Sequence, residues 1–254
     1  MYMYFKANAV LYLLSALAVL IFVLGVYANL FLIFKGKAPS FHHSFNKINA
    51  GKAFLFEVCL QKQILRQSWL RWIMHISIFY GFLGLFFHTS ILFLFSHFVP
   101  PKSNLAQFIY QGNGKLWLDL WGDFFGTALL AGIIIACLRR YVFKVKQLDT
   151  VSADTTVILL LLGVVLTGFL GEAVRLAQSP FSSDMTFSFL GFLFSLPLRA
   201  IHLPFGYLPV LWCHIIVSLI FIAYIPFSKL WHLFVAPLEI MYNASLEIPG
   251  KKYE

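Results

Sequence analysis

Five long apolar runs, separated by shorter polar segments, dominate the hydrophobic pattern of this chain. Each run is long enough to cross the roughly 30 Å hydrocarbon core of a bilayer. Because a backbone in lipid must satisfy its own hydrogen bonds, such runs are helical. The pattern therefore predicts an all-α membrane protein with a single membrane domain, residues 1–254, and five transmembrane helices. The predicted spans are 8–34, 72–99, 118–138, 153–176 and 208–234, the last interrupted by Pro226.

Two connections are too apolar to be plain loops. Residues 36–70 contain patches such as 53–56 (Ala-Phe-Leu-Phe), which favour an amphipathic helix on the membrane or against a partner subunit. Residues 180–207 are apolar but contain three prolines. We expect an outer cap or a re-entrant segment there, because a sixth span would reverse the orientation that the charges predict for the C-terminus.

The composition fits a membrane protein and argues against nucleic acid as a partner. The 254 residues are 60% hydrophobic and 11% charged, with a mean hydropathy of +0.83, which is more apolar than a soluble domain of this length allows. The net charge is +9, but the basic residues cluster between the apolar runs rather than among exposed aromatic residues. The three cysteines are isolated, so the sequence has no CxxC motif for covalent haem attachment, an iron–sulfur cluster or a zinc site.

The basic residues also predict the orientation of the helices. Of the 19 lysines and arginines, 14 lie in the segments 35–71, 139–146 and 229–252, which share one side of a five-span topology. Positive residues mark the cytoplasmic side. We therefore expect the N-terminus outside and the C-terminus in the cytoplasm.

Four histidines at membrane depth are the strongest candidates for chemistry: His75 and His88 in the second span, His214 and His232 in the fifth. Ionisable side chains are costly in a bilayer and usually face the interior of a bundle. His214 and His232 are 18 residues apart, which on an ideal helix is five turns and roughly 27 Å. Antiparallel spans match His75 with His232 near the cytoplasm and His88 with His214 near the outside. Two stacked haem groups, each with two axial imidazoles, would need such an arrangement.

The outer ligand on the second span has two candidates. His88 is 13 residues from His75, about 220° around an ideal helix, so they share a face only if the helix bends or the haems lie on different sides of it. His97 returns to within about 40° of the His75 direction and is the reserve candidate. Gly81 and Gly84 could allow a bend or the approach of a porphyrin face. The other histidines, expected at surfaces, are His42, His43 and His202.

The end of the last span resembles the respiratory nitrate reductase gamma subunit. The specific part is 226–232 (Pro-Phe-Ser-Lys-Leu-Trp-His), followed by Pro-Leu-Glu at 237–239. The Arg-Arg exit of the third span at 139–140 also fits. Segments 71–75 (Arg-Trp-Ile-Met-His) and 168–175 (Gly-Phe-Leu-Gly-Glu-Ala-Val-Arg) resemble a sister branch, the membrane cytochromes of heterodisulfide-reductase-like and sulfite-reduction-associated (Dsr-type) complexes.

The resemblance implies a five-helix, dihaem cytochrome b in the cytoplasmic (inner) membrane of a prokaryote, with the four membrane histidines as axial ligands. Its substrate would be a quinone, menaquinone or ubiquinone. Its partner would be a cytoplasmic iron–sulfur redox subunit, in a complex that can hold further subunits. The chain would then be the electron-transfer subunit of an oxidoreductase. The alternative from another class is a non-redox membrane transporter whose histidines relay protons; haem absorbance would distinguish the two.

Charged residues near the predicted haems each have two interpretations. Arg139 and Arg140 lie at the cytoplasmic level, where haem propionates would point, or are simply charges that end the span. Glu172 and Arg175, three residues apart at the outer end of the fourth span, form a local ion pair or an outer quinone site whose carboxylate accepts protons. Lys102 is a weaker candidate for the same quinone site.

Overall fold

The computed structural model describes residues 9–35, 46–144, 152–201 and 206–246. These residues are almost entirely helical, and no β-strand occurs among them. His42, His43 and His202 lie outside the described residues. In chain order the α-helices are α1 (Ala9–Lys35), α2 (Lys47–Ala53), α3 (Lys62–Gln67), α4 (Trp69–Phe98), α5 (Asn104–Tyr110), α6 (Asn113–Cys137), α7 (Ser152–Ala177), α8 (Phe189–Ile201), α9 (Tyr207–Tyr224) and α10 (His232–Ser245).

Five helices of the described chain, α1, α4, α6, α7 and α9, are long and apolar enough to cross a membrane, which confirms the predicted number of spans. A π-helical turn extends α6 to Val142, and a 3-10 turn extends α9 to Phe227. One end of the bundle, where α4 and α7 begin and α6 and α9 end, carries Arg71, Arg139 and Arg140. We call it the basic end and the other the opposite end.

The membrane helices pack side by side in the order α4, α6, α7, α9, α1. Small residues bring α4 and α6 together: a Cβ at Gly81 would lie 2.6 Å from the backbone nitrogen of Leu129, and one at Gly84 would collide with the ring of Phe125. Such close approach through small residues is typical of transmembrane helix pairs. These glycines therefore face α6, and the bend or porphyrin contact expected from the sequence is not their role here.

Helices α4 and α9 face the same interior but do not form a backbone packing interface. They meet where the rings of Phe82 and Phe221 make an edge-to-face contact, with centroids 5.8 Å apart. Phe221 belongs to the apolar core formed with α6 and α7, and Phe82 packs against it. This aromatic contact divides the space between α4 and α9 into one half at the basic end and one at the opposite end.

The fifth span is shorter than predicted, because α9 ends at Tyr224 and two 3-10 turns, Ile225–Phe227 and Lys229–Trp231, follow it. Pro226 has no N–H with which to continue the helix. Its carbonyl instead accepts a hydrogen bond from Asn29 Nδ2 of α1, at 2.8 Å. The break is therefore fixed both by the proline and by a neighbouring helix.

This break changes the geometry expected for the two histidines of the last span. His214 lies in α9, whereas His232 is the first residue of α10. Between the two turns, Ser228 is extended and its hydroxyl accepts a hydrogen bond from the backbone N–H of Leu230. The uninterrupted five-turn spacing predicted from the sequence therefore does not apply, and His232 is placed by the turns instead.

The connection between α7 and α9 turns back into the bundle. The backbone N–H groups of Leu190 and Gly191, at the start of α8, donate to the carboxylate of Asp123 at 2.6 and 3.2 Å. Asp123 is ten residues inside α6, so α8 begins roughly 15 Å from that helix end. Near the end of α8, Arg199 donates to the carbonyl of Ser179, just after α7. Helix α8 thus runs from the interior to the surface, as a re-entrant segment and not a sixth span.

Short helices cover the basic end. The described part of the apolar connection, residues 46–70, folds as α2, a π-helical turn (Phe54–Cys59) and α3. Helix α10 packs on α2, and the backbone N–H of Asn46 donates to the carbonyl of Ser245 at 3.0 Å. The connection is helical, as expected, and its remaining residues, 36–45, lie outside the described part.

Candidate functional site

His75 of α4 and His232 of α10 face each other at the basic end. Their ring centroids are 6.5 Å apart and their planes are inclined by 49°. A metal ion between two imidazoles, roughly 2 Å from a nitrogen of each, would separate the centroids by about 6 Å. The two histidines that the sequence matched by depth are therefore spaced as axial ligands of one iron would be.

Hydrogen bonds leave Nε2 available on both rings. Nδ1 of His75 donates to Gln61 Oε1 at 2.8 Å, and Nδ1 of His232 donates to the backbone carbonyl of Lys229. An imidazole that donates from Nδ1 keeps its lone pair on Nε2, and metal-binding histidines are usually held by such acceptors. Sequence reasoning missed Gln61, which lies 14 residues before His75 in a connection without a recognisable motif.

A cavity of about 210 Å³ opens beside the facing histidines. Arg139, Arg140 and Asp154 are among its lining residues. Arg140 pairs with Asp154 at 3.1 Å, and Lys229 pairs with the same carboxylate at 2.7 Å. Arg139 makes no ion pair within the described part of the chain, and its Nη1 lies 3.7 Å from the sulfur of Met74. Arg140 is thus held by a carboxylate, whereas Arg139 keeps its charge beside the cavity.

His88 and His214 lie beyond the aromatic contact, toward the opposite end, and each packs against a glycine. A Cβ at Gly122 of α6 would lie 3.1 Å from Cε1 of His88, and one at Gly168 of α7 would lie 3.3 Å from Cε1 of His214. Within the chain as described, no ring contact joins these two histidines. The second pair expected from the sequence is therefore present in the same half of the bundle but not face to face.

The two rings nevertheless lie at matching depths. His88 is six residues beyond Phe82 in α4, and His214 is seven residues before Phe221 in α9, so each is roughly 10 Å from the aromatic contact. Nδ1 of His214 lies 3.0 Å from the hydroxyl of Thr167, which itself donates to a carbonyl one turn earlier in α7. The ring is therefore the donor, and its Nε2 is available. Thr167 was also missed, since nothing in the sequence distinguishes it.

His97, the reserve ligand, lies apart from this pair. Its Nε2 is 3.0 Å from the hydroxyl of Tyr12 in α1, and its Nδ1 is 2.9 Å from both Ser96 Oγ and the Phe93 carbonyl. It is 15 residues beyond Phe82, roughly 22 Å along the helix. Both ring nitrogens have protein partners, and the depth matches His214 less well than that of His88 does.

Glu172 and Arg175 form an ion pair, with Oε1 and Nη2 3.3 Å apart. Glu172 lies one turn beyond Gly168 on the same face of α7, so its carboxylate follows the position of His214 along the bundle. Lys102 is exposed in the turn after α4 and makes no hydrogen bond or ion pair with any described residue. Two of the three predicted quinone-site residues are thus together near a histidine, and the third is not.

Sequence reasoning missed two further carboxylates near this site. Asp123 is 1% exposed, holds the start of α8 and is hydrogen-bonded to Glu172. Asp119, one turn earlier in α6, lies beside His88 and pairs with Lys115. A carboxylate within an apolar span is itself a signal, because charge is costly at that depth.

Haem fits this set of donors better than a bare metal ion does. Among the described residues, no three His, Cys, Asp or Glu side chains come together as a metal site. The structure instead offers imidazoles in pairs, three of them with Nδ1 held by an acceptor. A metal that takes two axial histidines and its other four ligands from a porphyrin suits such pairs.

Residues 52–240 match the HdrE family, described as the E-type component of dihydromethanophenazine:CoB–CoM heterodisulfide reductase. The HdrE protein of Methanosarcina thermophila is 28% identical over 193 residues, which cover 74% of this chain and 64% of the relative. That of Methanosarcina mazei is 27% identical over 209 residues, or 82% of this chain and 71% of the relative.

A second kind of relative is much longer than this chain. The EtfAB:quinone oxidoreductase of Syntrophomonas wolfei is 27% identical over 250 residues, which cover 92% of this chain but 33% of that protein. The chain therefore spans 64% of the Methanosarcina thermophila HdrE protein and a third of this oxidoreductase. No solved structure matches the chain.

Proposed function

The chain belongs to the HdrE family of heterodisulfide reductase membrane subunits, and we propose that it is a dihaem cytochrome b that passes electrons between a membrane quinone and a cytoplasmic iron–sulfur subunit. The facing rings of His75 and His232, each with an available Nε2, carry the proposal. The names of the relatives, which include a quinone oxidoreductase, are consistent with this role. When bound, a bis-imidazole haem b alternates between ferric and ferrous iron and so supplies one-electron transfer.

At the basic end, His75 and His232 would hold the inner haem. Arg139 has no carboxylate partner among the described residues, so its guanidinium is available to a haem propionate. Arg140 and Asp154 connect α6 and α7, and Lys229 of the turn before His232 joins the same carboxylate. This network ties the ligand turn to two membrane helices.

At the opposite end, His88 and His214 would hold the outer haem, and Glu172 would serve the quinone. Glu172 lies just beyond His214, pairs with Arg175 and contacts the re-entrant helix α8. A carboxylate at this place can accept a proton from quinol as the quinol is oxidised. The quinone would be menaquinone or ubiquinone. Lys102 remains a weaker candidate because of its exposed position.

The basic residues favour the cytoplasm for the basic end, in the inner membrane of a prokaryote. The covering helices α2, α3 and α10 would then face the iron–sulfur subunit. The likeness of 226–232 to the nitrate reductase gamma subunit supports the dihaem assignment, because that segment supplies His232 and the turn that orients it.

Haem content tests the proposal directly. The complex purified from membranes should show a reduced b-type absorption band and two haems per copy of this chain. All haem should be extracted by acidified acetone, because no CxxC motif exists for covalent attachment. Quinol should reduce the bound haem. A haem-free complex would contradict the proposal and favour the transporter with proton-relaying histidines.

A further inference from the structure

Gln61 is buried in a place where its neighbours are exposed. It is 4% exposed, whereas Leu60 before it is 47% exposed, and Lys62 and Gln63 after it are also exposed. Its φ of 52° lies in the left-handed region, which side chains with a Cβ rarely adopt. A strained backbone persists only where the surrounding structure fixes it, and it often marks a functional position.

The turn around Gln61 is fixed by hydrogen bonds that do not involve its side chain. From α4, Trp72 Nε1 donates to the carbonyl of Leu60 at 2.8 Å, and the hydroxyl of Tyr80 donates to the carbonyl of Cys59 at 2.9 Å. On the other side, the first N–H groups of α3 donate to the carbonyl of Gln61 itself. The backbone is therefore set by α3 and α4, and the amide side chain is left to point at His75.

We propose that Gln61 is a positioning residue that sets the orientation and the electron donation of His75, and through them the reduction potential of the inner haem. The inference rests on the proposed function. Its amide oxygen accepts the Nδ1 proton of His75 at 2.8 Å. A stronger acceptor makes the imidazole a better donor to iron, which favours ferric iron; the loss of the acceptor does the reverse.

The other ligand at this end is not controlled by a side chain. Nδ1 of His232 donates to a backbone carbonyl, that of Lys229, which a substitution at 229 leaves in place. Gln61 is therefore the side chain through which the inner pair is adjustable. A change at Gln61 is expected to alter one haem and to leave the haem beyond the aromatic contact unchanged.

The test is a redox titration of both haems in the membrane-bound complex, with two substitutions at one site. Gln61→Glu replaces the amide by a stronger acceptor of nearly the same shape, and Gln61→Leu removes the acceptor. We expect the ratio of ferric to ferrous affinity of one haem to change about tenfold in opposite directions, equivalent to about 59 mV, lower for Glu and higher for Leu. The low-spin ferric EPR signal of that haem should shift as well, because the ring is reoriented.

Gln63→Glu and Gln63→Leu are the matched controls, since Gln63 is exposed two residues away and makes the same change of charge or size at the same end. The inference is overturned if Gln61→Glu leaves both potentials unchanged, shifts both haems, or acts like Gln63→Glu. If Gln61→Leu loses the haem, Gln61→Glu still decides. A wild-type complex without haem would instead defeat the proposed function itself.

Discussion

The two halves of the space between α4 and α9 are built differently. At the basic end, His75 and His232 face each other, and the elements that hold them are a strained turn and the 3-10 turns after Pro226. At the opposite end, His88 and His214 lie on regular helices and fill the space left by glycines on the intervening α6 and α7.

The difference shows two ways of preparing a pair of ligands. Irregular backbone can aim a side chain across a gap, but it needs partners for its polar groups, as Leu60 has in Trp72. Regular helices have no such need and instead provide room through small residues. We therefore expect the basic end to depend on its turns, and the opposite end to depend on Gly122 and Gly168.

Removal of a ligand should have the largest effect. His75→Ala and His232→Ala should each abolish the same haem, leaving one haem per chain, because both rings face one site. His88→Ala and His214→Ala should each abolish the other haem. Pyridine haemochrome assay and low-temperature difference spectra measure the content and identify the component that is lost.

The comparison between the two ends would break if the wrong residues behaved as a pair. Loss of the same spectral component in His232→Ala and His214→Ala would mean that the depth assignment is incorrect. In the expected case, quinol should still reduce the outer haem in His232→Ala but should reduce neither haem in His214→Ala. Stopped-flow reduction by quinol distinguishes these results.

Glu172→Gln should have the next largest effect, on rate and not on haem content. The substitution keeps the shape but removes the base, and the loss of a proton acceptor typically slows such steps by about 100-fold or more. Quinol-dependent haem reduction should slow accordingly, with two haems still bound. Asp184→Asn is the control, because Asp184 is exposed near the same end. Unchanged quinol kinetics would make Glu172 and Arg175 a structural pair.

Gly168→Ala should have a smaller effect, confined to the opposite end. The added Cβ would lie 3.3 Å from Cε1 of His214, so the ring must move by a few tenths of an ångström. We expect a shifted spectrum and weaker retention of the outer haem, with the inner haem unchanged. Gly163→Ala is a matched control on the same helix, because its Cβ would crowd Val217 at 3.2 Å and not a histidine. Equal effects of both substitutions would point to general packing.

The number of spans was predictable because it depends on apolar length alone, whereas the ends of the spans depend on local pairs. The third span begins before its apolar run, at Asn113 and not at 118, because Lys115 and Asp119 pair at i and i+4 and extend the helix. The break at Pro226 is visible in the sequence. What the sequence does not reveal is that the break moves His232 to a separate helix.

The candidate site was predictable where chemistry is rare and not where it is common. A histidine in an apolar span is conspicuous, so the pair His75 and His232 could be matched by depth. Gln61 and Thr167 are ordinary polar residues whose importance comes only from the ring that each contacts in the folded chain. Asp123 carried a signal, as a carboxylate in an apolar span, but its contact with the start of α8 depends on tertiary structure.

His97→Ala should have the smallest effect, and it tests the depth assignment from the other side. Both nitrogens of His97 already have partners, in Tyr12, Ser96 and the Phe93 carbonyl. Its loss removes a link between α1 and α4, worth about 1 kcal/mol for a typical hydrogen bond. We expect two haems per chain, unchanged spectra and a slightly lower melting temperature, and Tyr12→Phe should reproduce that small loss of stability. If His97→Ala loses the outer haem while His88→Ala keeps it, His97 is the ligand, and α4 must then hold its two ligands 22 residues apart on nearly one face.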